Sequence, residues 1–165
     1  MRINDIRALY DYNAWANTRI LDTAAHVPAE LFATAALGAC NLRDTLTHLL
    51  VVESLWRLRW QGIPPESVEF PEEFPTLETL RARWHEEDRE LDAFLAGLGD
   101  ADLDRPLTYR RDNDAVETWT LWHLLLQVIN HGTQHRAELA LLLTALGHSP
   151  GNLDFLLFIR ERGTG

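Results

Sequence analysis

The sequence predicts an all-α protein, a four-helix bundle with long connections and a short C-terminal helix. Helix-forming residues dominate the 165 residues, and runs that alternate Val, Ile or Thr with polar residues are absent. Four long segments carry apolar residues at helical spacing between capping and stop signals. Four such helices bury their apolar faces most readily against one another. The length suits one domain, which we expect to span residues 1–165.

The first helix is predicted over about residues 5–25, because Pro28 lies just beyond its end. Its apolar residues recur three or four positions apart and form one stripe. Asn13 lies on the same stripe and is its polar interruption. The apolar members of the stripe are Ile6, Leu9, Ala16, Ile20 and Ala24.

The second helix is predicted to begin after Asn41, whose side chain can cap the amides that follow, with Asp44 in the third helical position. It should continue to about Trp60, because Gly62 and Pro64 stop it. We expect one side of this helix to face the bundle core. That side carries His48, Val52, Leu55 and Arg59.

The third helix is predicted from the cap residue Thr76 to about Leu98, before Gly99. Glu87 and Asp88 border its apolar stripe. They are acceptors for a metal-bound imidazole or part of a solvated helix edge, and we favour the solvated edge. The stripe itself consists of Leu77, Leu80, Trp84, Leu91, Phe94, Leu95 and Leu98.

Residues 100–117 carry charge and lack a helical stripe, so they are predicted to form a long connection with a short hairpin around residues 112–114. The fourth helix should run over about residues 120–146, where Gly147 ends it. A short apolar segment over residues 153–159 is predicted to form the C-terminal helix.

Two histidines four residues apart mark the fourth helix. His131 and His135 differ by roughly 40° around the helix axis and ~6 Å along it, so both rings can reach one ion. His48 is expected on the apolar side of the second helix, where an imidazole needs a partner for each ring nitrogen. A histidine satisfied within the core is the alternative for His48 alone. Three inward-facing histidines on two helices favour a metal site.

The predicted ligands of one divalent transition metal are therefore His48, His131 and His135. Three protein ligands leave an open coordination position for water or substrate, as in catalytic rather than structural sites. Such a metal could acidify a bound water or thiol. The pattern identifies these three histidines as metal ligands only and leaves the catalytic residues unknown.

Neighbouring residues limit the chemistry of this site. Gly132 follows His131, so the HExxH pattern of zinc peptidases lacks its Glu and a peptidase is disfavoured. Gln127 precedes His131 by one turn and faces the site or packs in the core, and we favour packing. His123 lies ~12 Å from His131 along the axis, too far to share the ion easily. Surface positions are expected for His26, His85 and His148.

Composition excludes several classes of function. The formal charge of −10 repels phosphate backbones and anionic lipid surfaces, so we expect no nucleic-acid or membrane partner. No apolar run approaches the ~18 residues of a membrane span, and the N-terminus lacks the apolar stretch of a signal peptide. A cytoplasmic protein is expected. The single cysteine, Cys40, forms no internal disulfide, which fits a reducing compartment.

Three sequence motifs together resemble the DinB/YfiT-like family of metalloenzymes. They are YNAWAN at residues 12–17, NLRDTLTH at residues 41–48 and VINHGTQHR at residues 128–136. The closing LGHSP and LDF, at residues 146–150 and 153–155, resemble the C-terminal pattern of that family. The resemblance therefore spans nearly the whole chain and implies the same bundle fold.

The resemblance also implies a metal and a class of reaction. In that family the second-helix histidine and the HxxxH pair bind a divalent metal, usually nickel or zinc, which again selects His48, His131 and His135. Relatives with assigned activities activate a low-molecular-weight thiol such as bacillithiol, mycothiol or glutathione, and many are dimers. This chain departs from the family at Gln127, where a third histidine is common, and at Glu138, where glutamine is common.

The sequence thus leads to one main functional hypothesis and two alternatives. The main one is a metal-dependent enzyme that activates a small thiol for S-transfer or isomerisation. The alternatives are a non-catalytic metal-binding protein with a stress-response or interaction role, and a metal-dependent hydrolase. A homodimer is also predicted, because the chain is rich in aromatic residues and a single small bundle does not fully cover its apolar tail. The alternative is a monomer in which the tail folds back on its own bundle. The tail residues are Leu153, Phe155, Leu156, Phe158 and Ile159.

Overall fold

The computed structural model describes residues 1–64, 69–110 and 114–163. Among them are six α-helices: α1 (Ile3–Ala24), α2 (Leu42–Gln61), α3 (Leu77–Ala96), α4 (Asp100–Leu103), α5 (Leu121–Ala145) and α6 (Phe155–Glu161). The same residues form four short strands: β1 (Ala36–Leu37), β2 (Cys40–Asn41), β3 (Pro106–Arg110) and β4 (Val116–Thr120).

The four long helices form the predicted bundle. α5 packs against α1 and α2, and α3 packs against the same two helices, so α3 and α5 lie diagonally across the bundle. The ends of all four helices agree with the sequence prediction to within two residues. Within the described residues, no helix combines the length and apolar content that crossing a membrane requires.

Local caps explain why these bounds could be predicted. Asn41 Oδ1 accepts a hydrogen bond from the Asp44 backbone N–H at 3.1 Å, and Gly62 ends α2 with a left-handed φ of 72°. Thr76 Oγ1 accepts from the Thr79 backbone N–H at 3.2 Å at the start of α3. Each cap joins residues only three positions apart, so the sequence alone contains the signal.

The long connection contains more structure than its sequence predicts. Residues 100–103 form the short helix α4 instead of a loop, and Asp100 Oδ1 accepts from the Ile3 backbone N–H at 2.7 Å. This hydrogen bond from α1 to α4 caps the N-terminus of α1, which starts at Ile3. β3 and β4 pair antiparallel, with Leu107 opposite Trp119, which confirms the hairpin. Of its predicted turn residues, Asp112 and Asn113 lie outside the described residues.

A polar layer divides the apolar core into two clusters. Along each long helix, one apolar cluster ends where buried polar side chains begin, and the other cluster starts beyond them. The polar layer consists of Asn13 and Asn17 on α1, Glu53 and Arg57 on α2, Glu87 on α3 and Arg136 on α5. The bundle therefore buries charged groups near the middle of its length.

Because Glu53 and Arg57 of the polar layer are buried, the predicted orientation of α2 is wrong. The predicted core side is exposed at His48 and only half-buried at Val52, Leu55 and Arg59. The buried side instead includes Leu46, Leu49 and Leu50 and the charged residues Glu53 and Arg57. Hydropathy assigns charged residues to solvent, but here buried side chains of other helices pair with them.

Glu87 also differs from the prediction of a solvated helix edge. It is fully buried, and its carboxylate accepts from Arg57 Nε at 2.5 Å and Arg57 Nη2 at 3.0 Å. Arg83 lies 3.4 Å from the same carboxylate. A buried carboxylate requires such paired donors, because an isolated charge would be strongly unfavourable there. Its arginine partners, rather than a histidine, fix the position of Glu87.

The C-terminal helix α6 lies against α1. Phe158 is buried, with its ring 5.8 Å from that of Tyr12 and 5.7 Å from that of Trp15. Glu161 accepts hydrogen bonds from Trp15 Nε1 and Arg19 Nη2. The tail thus covers part of its own bundle, whereas Leu156 stays 74% exposed. The homodimer stays a prediction.

Candidate metal centre

Two adjacent helices bring the three predicted ligands together. His131 and His135 lie one turn apart on α5, and His48 lies on α2, which packs beside α5. The Nε2 atoms of His48 and His131 are 3.1 Å apart. One ring nitrogen from each of the three histidines lies within 4.8 Å of the other two. Within the described residues, no other group of His, Cys, Asp or Glu converges in this way.

These separations suit a divalent ion. Two nitrogens bound at ~2.1 Å to a tetrahedral ion are about 3.4 Å apart, and the nitrogen separations of the triad include 3.1 Å and do not exceed 4.8 Å. The ring centroids lie 4.5 to 4.9 Å apart, so small rotations of the imidazoles would bring the three nitrogens to the separation that a bound ion requires. The three histidines can therefore hold one metal ion.

The electrostatics keep two of these imidazoles neutral. Burial, with the neighbouring His135 and His48, lowers the pKa of His131 to about 4. Burial and His135 also lower the pKa of His48. Neutral imidazole is the form that binds a metal, so near pH 7 these rings need not lose a proton first.

Glu138 orients His135. Its Oε2 lies 2.7 Å from His135 Nδ1, which leaves Nε2 as the ring nitrogen available to a metal. The sequence shows this residue only as a departure from the family pattern. The spacing could have revealed its role, because residues three positions apart on a helix are neighbours.

The site is more open than the sequence predicts. His48 is exposed, and His131 and His135 are half-buried, so the triad lies on the side of the bundle rather than in its interior. The reason is the orientation of α2, which turns Leu49 and Leu50 inward and leaves His48 at the edge. One side of the triad consequently faces solvent and is accessible to a substrate.

The arginine that directly follows the HxxxH segment has a structural role. Arg136 is buried, and its Nη1 donates to Asn13 Oδ1 at 2.6 Å and Asn17 Oδ1 at 2.8 Å. The Nδ2 atoms of Asn13 and Asn17 donate in turn to Glu53 Oε1, at 2.7 Å and 3.1 Å. Two amides thus connect a buried guanidinium to a buried carboxylate and tie α1, α2 and α5 together.

Burial dominates the ionisation of Glu53. It raises the pKa of the carboxyl to about 7, although the two asparagine amides and Arg136 favour the ionised form. Its Oε2 has no hydrogen-bond partner among the described residues. The polar layer therefore contains a group that titrates near neutral pH.

The other candidates of the sequence lie outside the triad. Gln127 is exposed, so the favoured core-packing interpretation is wrong. His123 is exposed and packs against Trp122, with ring centroids 3.9 Å apart. Asp88 is half-buried, and burial with the nearby Asp92 raises its pKa to about 6. The remaining histidines are exposed, at His26 and His85, or half-buried, at His148.

Comparison with known proteins agrees with the resemblance. The family model described as DinB family matches residues 2–164. Protein DinB of Bacillus subtilis (strain 168) is 24% identical over 159 residues, an alignment that covers 92% of this chain and 91% of that protein. The similarity therefore includes both helices that carry the three histidines.

Proposed function

The chain belongs to the DinB family, and we propose that it is a metal-dependent enzyme that activates a low-molecular-weight thiol for S-transfer or isomerisation. One observation supports this above all. Ring nitrogens of His48, His131 and His135 converge within 4.8 Å on a side of the bundle that is open to solvent. A structural metal site would instead be closed by a fourth protein ligand.

The chemistry of the donor set favours an anionic substrate atom. A divalent ion bound there, nickel or zinc by resemblance, supplies Lewis acidity that lowers the pKa of a thiol or water. Imidazole binds a metal as a neutral ligand, so three of them would leave the charge of the ion uncompensated. Glu138 holds His135 in the required orientation, and the exposed His48 borders the side from which a thiol can approach.

The thiol must come from the substrate. Cys40 is the single cysteine of the sequence, and it is buried. Burial raises its pKa, which lowers the fraction of reactive thiolate. The chain therefore offers a candidate metal site for an external thiol rather than a reactive thiol of its own.

A conjugation assay tests the proposal. Apoprotein and protein loaded with zinc or nickel are incubated with monochlorobimane and one thiol at a time: bacillithiol, mycothiol, glutathione, coenzyme A or cysteine. We expect metal-loaded protein to accelerate formation of the fluorescent thioether with at least one of them. His131→Ala should remove the acceleration, whereas His26→Ala, an exposed histidine outside the triad, should retain it.

The same assay distinguishes the alternatives. If no thiol reacts faster with metal-loaded protein than with apoprotein while the metal stays bound, the thiol-transfer proposal fails for these substrates. Metal-dependent hydrolysis of a chromogenic ester by the same preparations would then favour the hydrolase. Bound metal without either reaction would favour a non-catalytic metal-binding protein.

A further inference from the structure

A cavity of about 440 Å³ lies between α2, α5 and the β3–β4 hairpin. Three aromatic residues line it, one from α2 and two from the hairpin, together with polar residues of β4 and α5. They are Trp56, Tyr109 and Trp119, with Glu117, His123 and Gln127. The volume is that of a small-molecule site, which typically measures ~300 to 1,000 Å³.

This aromatic cavity is adjacent to the three histidines along the same two helices. Gln127 precedes His131 by one turn of α5, about 6 Å along the axis. Trp56 follows His48 by two turns of α2, about 12 Å. A substrate that spans about 6 to 12 Å can therefore contact the histidines and the aromatic cavity at the same time.

The aromatic walls are held in fixed orientations. Glu117 Oε2 accepts a hydrogen bond from Tyr109 Oη at 2.8 Å and another from Trp119 Nε1 at 2.9 Å. The Tyr109 ring meets the Trp56 ring edge-on, with centroids 5.2 Å apart. Trp119 nevertheless remains 49% exposed. A large ring that is oriented by hydrogen bonds and left half-exposed is typical of a binding surface.

The charges around the cavity select an uncharged ligand. The Glu117 carboxylate in the wall disfavours an anion. The guanidinium of Arg59 already lies over two of the rings, 5.0 Å from the Trp56 centroid and 5.6 Å from that of Tyr109, which disfavours a second cation. A flat, uncharged ring can stack on the half-exposed Trp119 without opposing either charge.

We propose that the aromatic cavity binds an uncharged aromatic group of the electrophilic substrate, beside the histidine triad. This inference rests on the proposed function for the reaction that the substrate undergoes, but not for the binding itself. It assigns the open side of the triad to the thiol and the aromatic cavity to the electrophile. The electrophile would then be an uncharged aromatic or heteroaromatic compound rather than a small aliphatic one.

The test measures binding without any reaction. 1,3-Dinitrobenzene is flat and uncharged and carries no leaving group that a thiol could displace. Equilibrium dialysis with the full chain should show one site, and Trp119→Ala should weaken binding about tenfold by removing one stacking wall. Gln127→Trp, at an exposed helical position, should abolish binding by filling the cavity. Phe70→Ala should leave binding unchanged, because it removes an aromatic side chain that is 62% exposed and outside the cavity.

The outcomes separate this inference from the proposed function. Absence of binding, or equal binding to the parent protein and to folded Trp119→Ala and Gln127→Trp variants, would overturn the inference even if thiol conjugation is observed. Far-ultraviolet circular dichroism verifies the fold of each variant. Variant-sensitive binding that persists in His131→Ala, without any thiol conjugation, would support the aromatic cavity and reject the thiol-transfer function.

Discussion

The guanidinium of Arg136 occupies the space beside Gly132, so that a Cβ on this glycine would lie 2.8 Å from Arg136 Nη1. The same Cβ would lie 3.1 Å from Asn13 Oδ1. Glycine inside a helix costs roughly 1 kcal/mol relative to alanine. The close approach of Arg136 explains why α5 has a glycine between the two histidines of the candidate metal centre.

Gly132→Ala is expected to destabilise the protein by about 1 to 3 kcal/mol, despite the better helix propensity of alanine. The added methyl group displaces a guanidinium that two asparagines hold in place. Urea denaturation monitored by circular dichroism measures the change. Gly97→Ala is the control, because its Cβ would make an ordinary 3.4 Å contact with the Phe94 carbonyl oxygen. A more stable Gly132→Ala protein would contradict the packing argument.

Alanine at any of the three ligands should abolish stoichiometric metal binding. The variants are His48→Ala, His131→Ala and His135→Ala, and two nitrogens alone cannot hold the ion tightly. His123→Ala should bind as the parent protein does, since its ring lies outside the triad. Elemental analysis of protein purified without a histidine tag gives the stoichiometry. Full metal content in any of the three variants would show that the substituted histidine is not a metal ligand.

Glu138→Ala should weaken metal binding about 10- to 100-fold, because His135 then loses the partner that fixes its tautomer. Glu138→Gln should weaken it less, since the amide oxygen can still accept from Nδ1–H. Calorimetric titration gives the affinities, and nitrogen chemical shifts of the imidazole report the tautomer. Glu86→Ala, an exposed carboxylate on α3, controls for net charge. Equal losses of metal affinity in Glu86→Ala and Glu138→Ala would show that Glu138 contributes only its negative charge and does not orient His135.

Glu53 should make folding less favourable as the pH rises. Its pKa of about 7 in the folded protein lies above the ordinary value of 4.5, so the folded state binds a proton more tightly than the unfolded state. The contribution of this proton is complete below about pH 4.5 and is lost as the pH rises through 7. The difference in unfolding free energy, Glu53→Gln minus the parent protein, should therefore increase between pH 5 and pH 8. A constant difference across this range would contradict the assignment.

The expected homodimer is tested by multi-angle light scattering. Leu156 is 74% exposed and Phe155 is also exposed, so both are available to a second copy of the chain. The parent protein should have twice the mass of one chain at micromolar concentration, and Leu156→Glu should shift it toward the monomer. A monomeric parent protein would mean that packing of α6 on its own α1 is sufficient to cover the tail.

Signals between residues close in the chain determined the helices and two of the three histidines of the candidate metal centre. Asn41 and Thr76 mark helix starts through caps that span three residues, and the spacing of His131 and His135 places two rings on one face of any helix. These features depend on helical geometry and not on the rest of the fold. The sequence could therefore predict them.

Tertiary structure alone decided which side of α2 is buried and hence where His48 lies. Glu53 is buried because Asn13 and Asn17, 40 and 36 residues earlier, donate to it, and Asn13 in turn accepts from Arg136, 123 residues later. Arg57 is buried because Glu87 pairs with it across α2 and α3. Hydropathy assigns each charged residue to solvent when it is considered singly. The free-energy cost of burying one depends on partners that only the folded chain brings within hydrogen-bond distance.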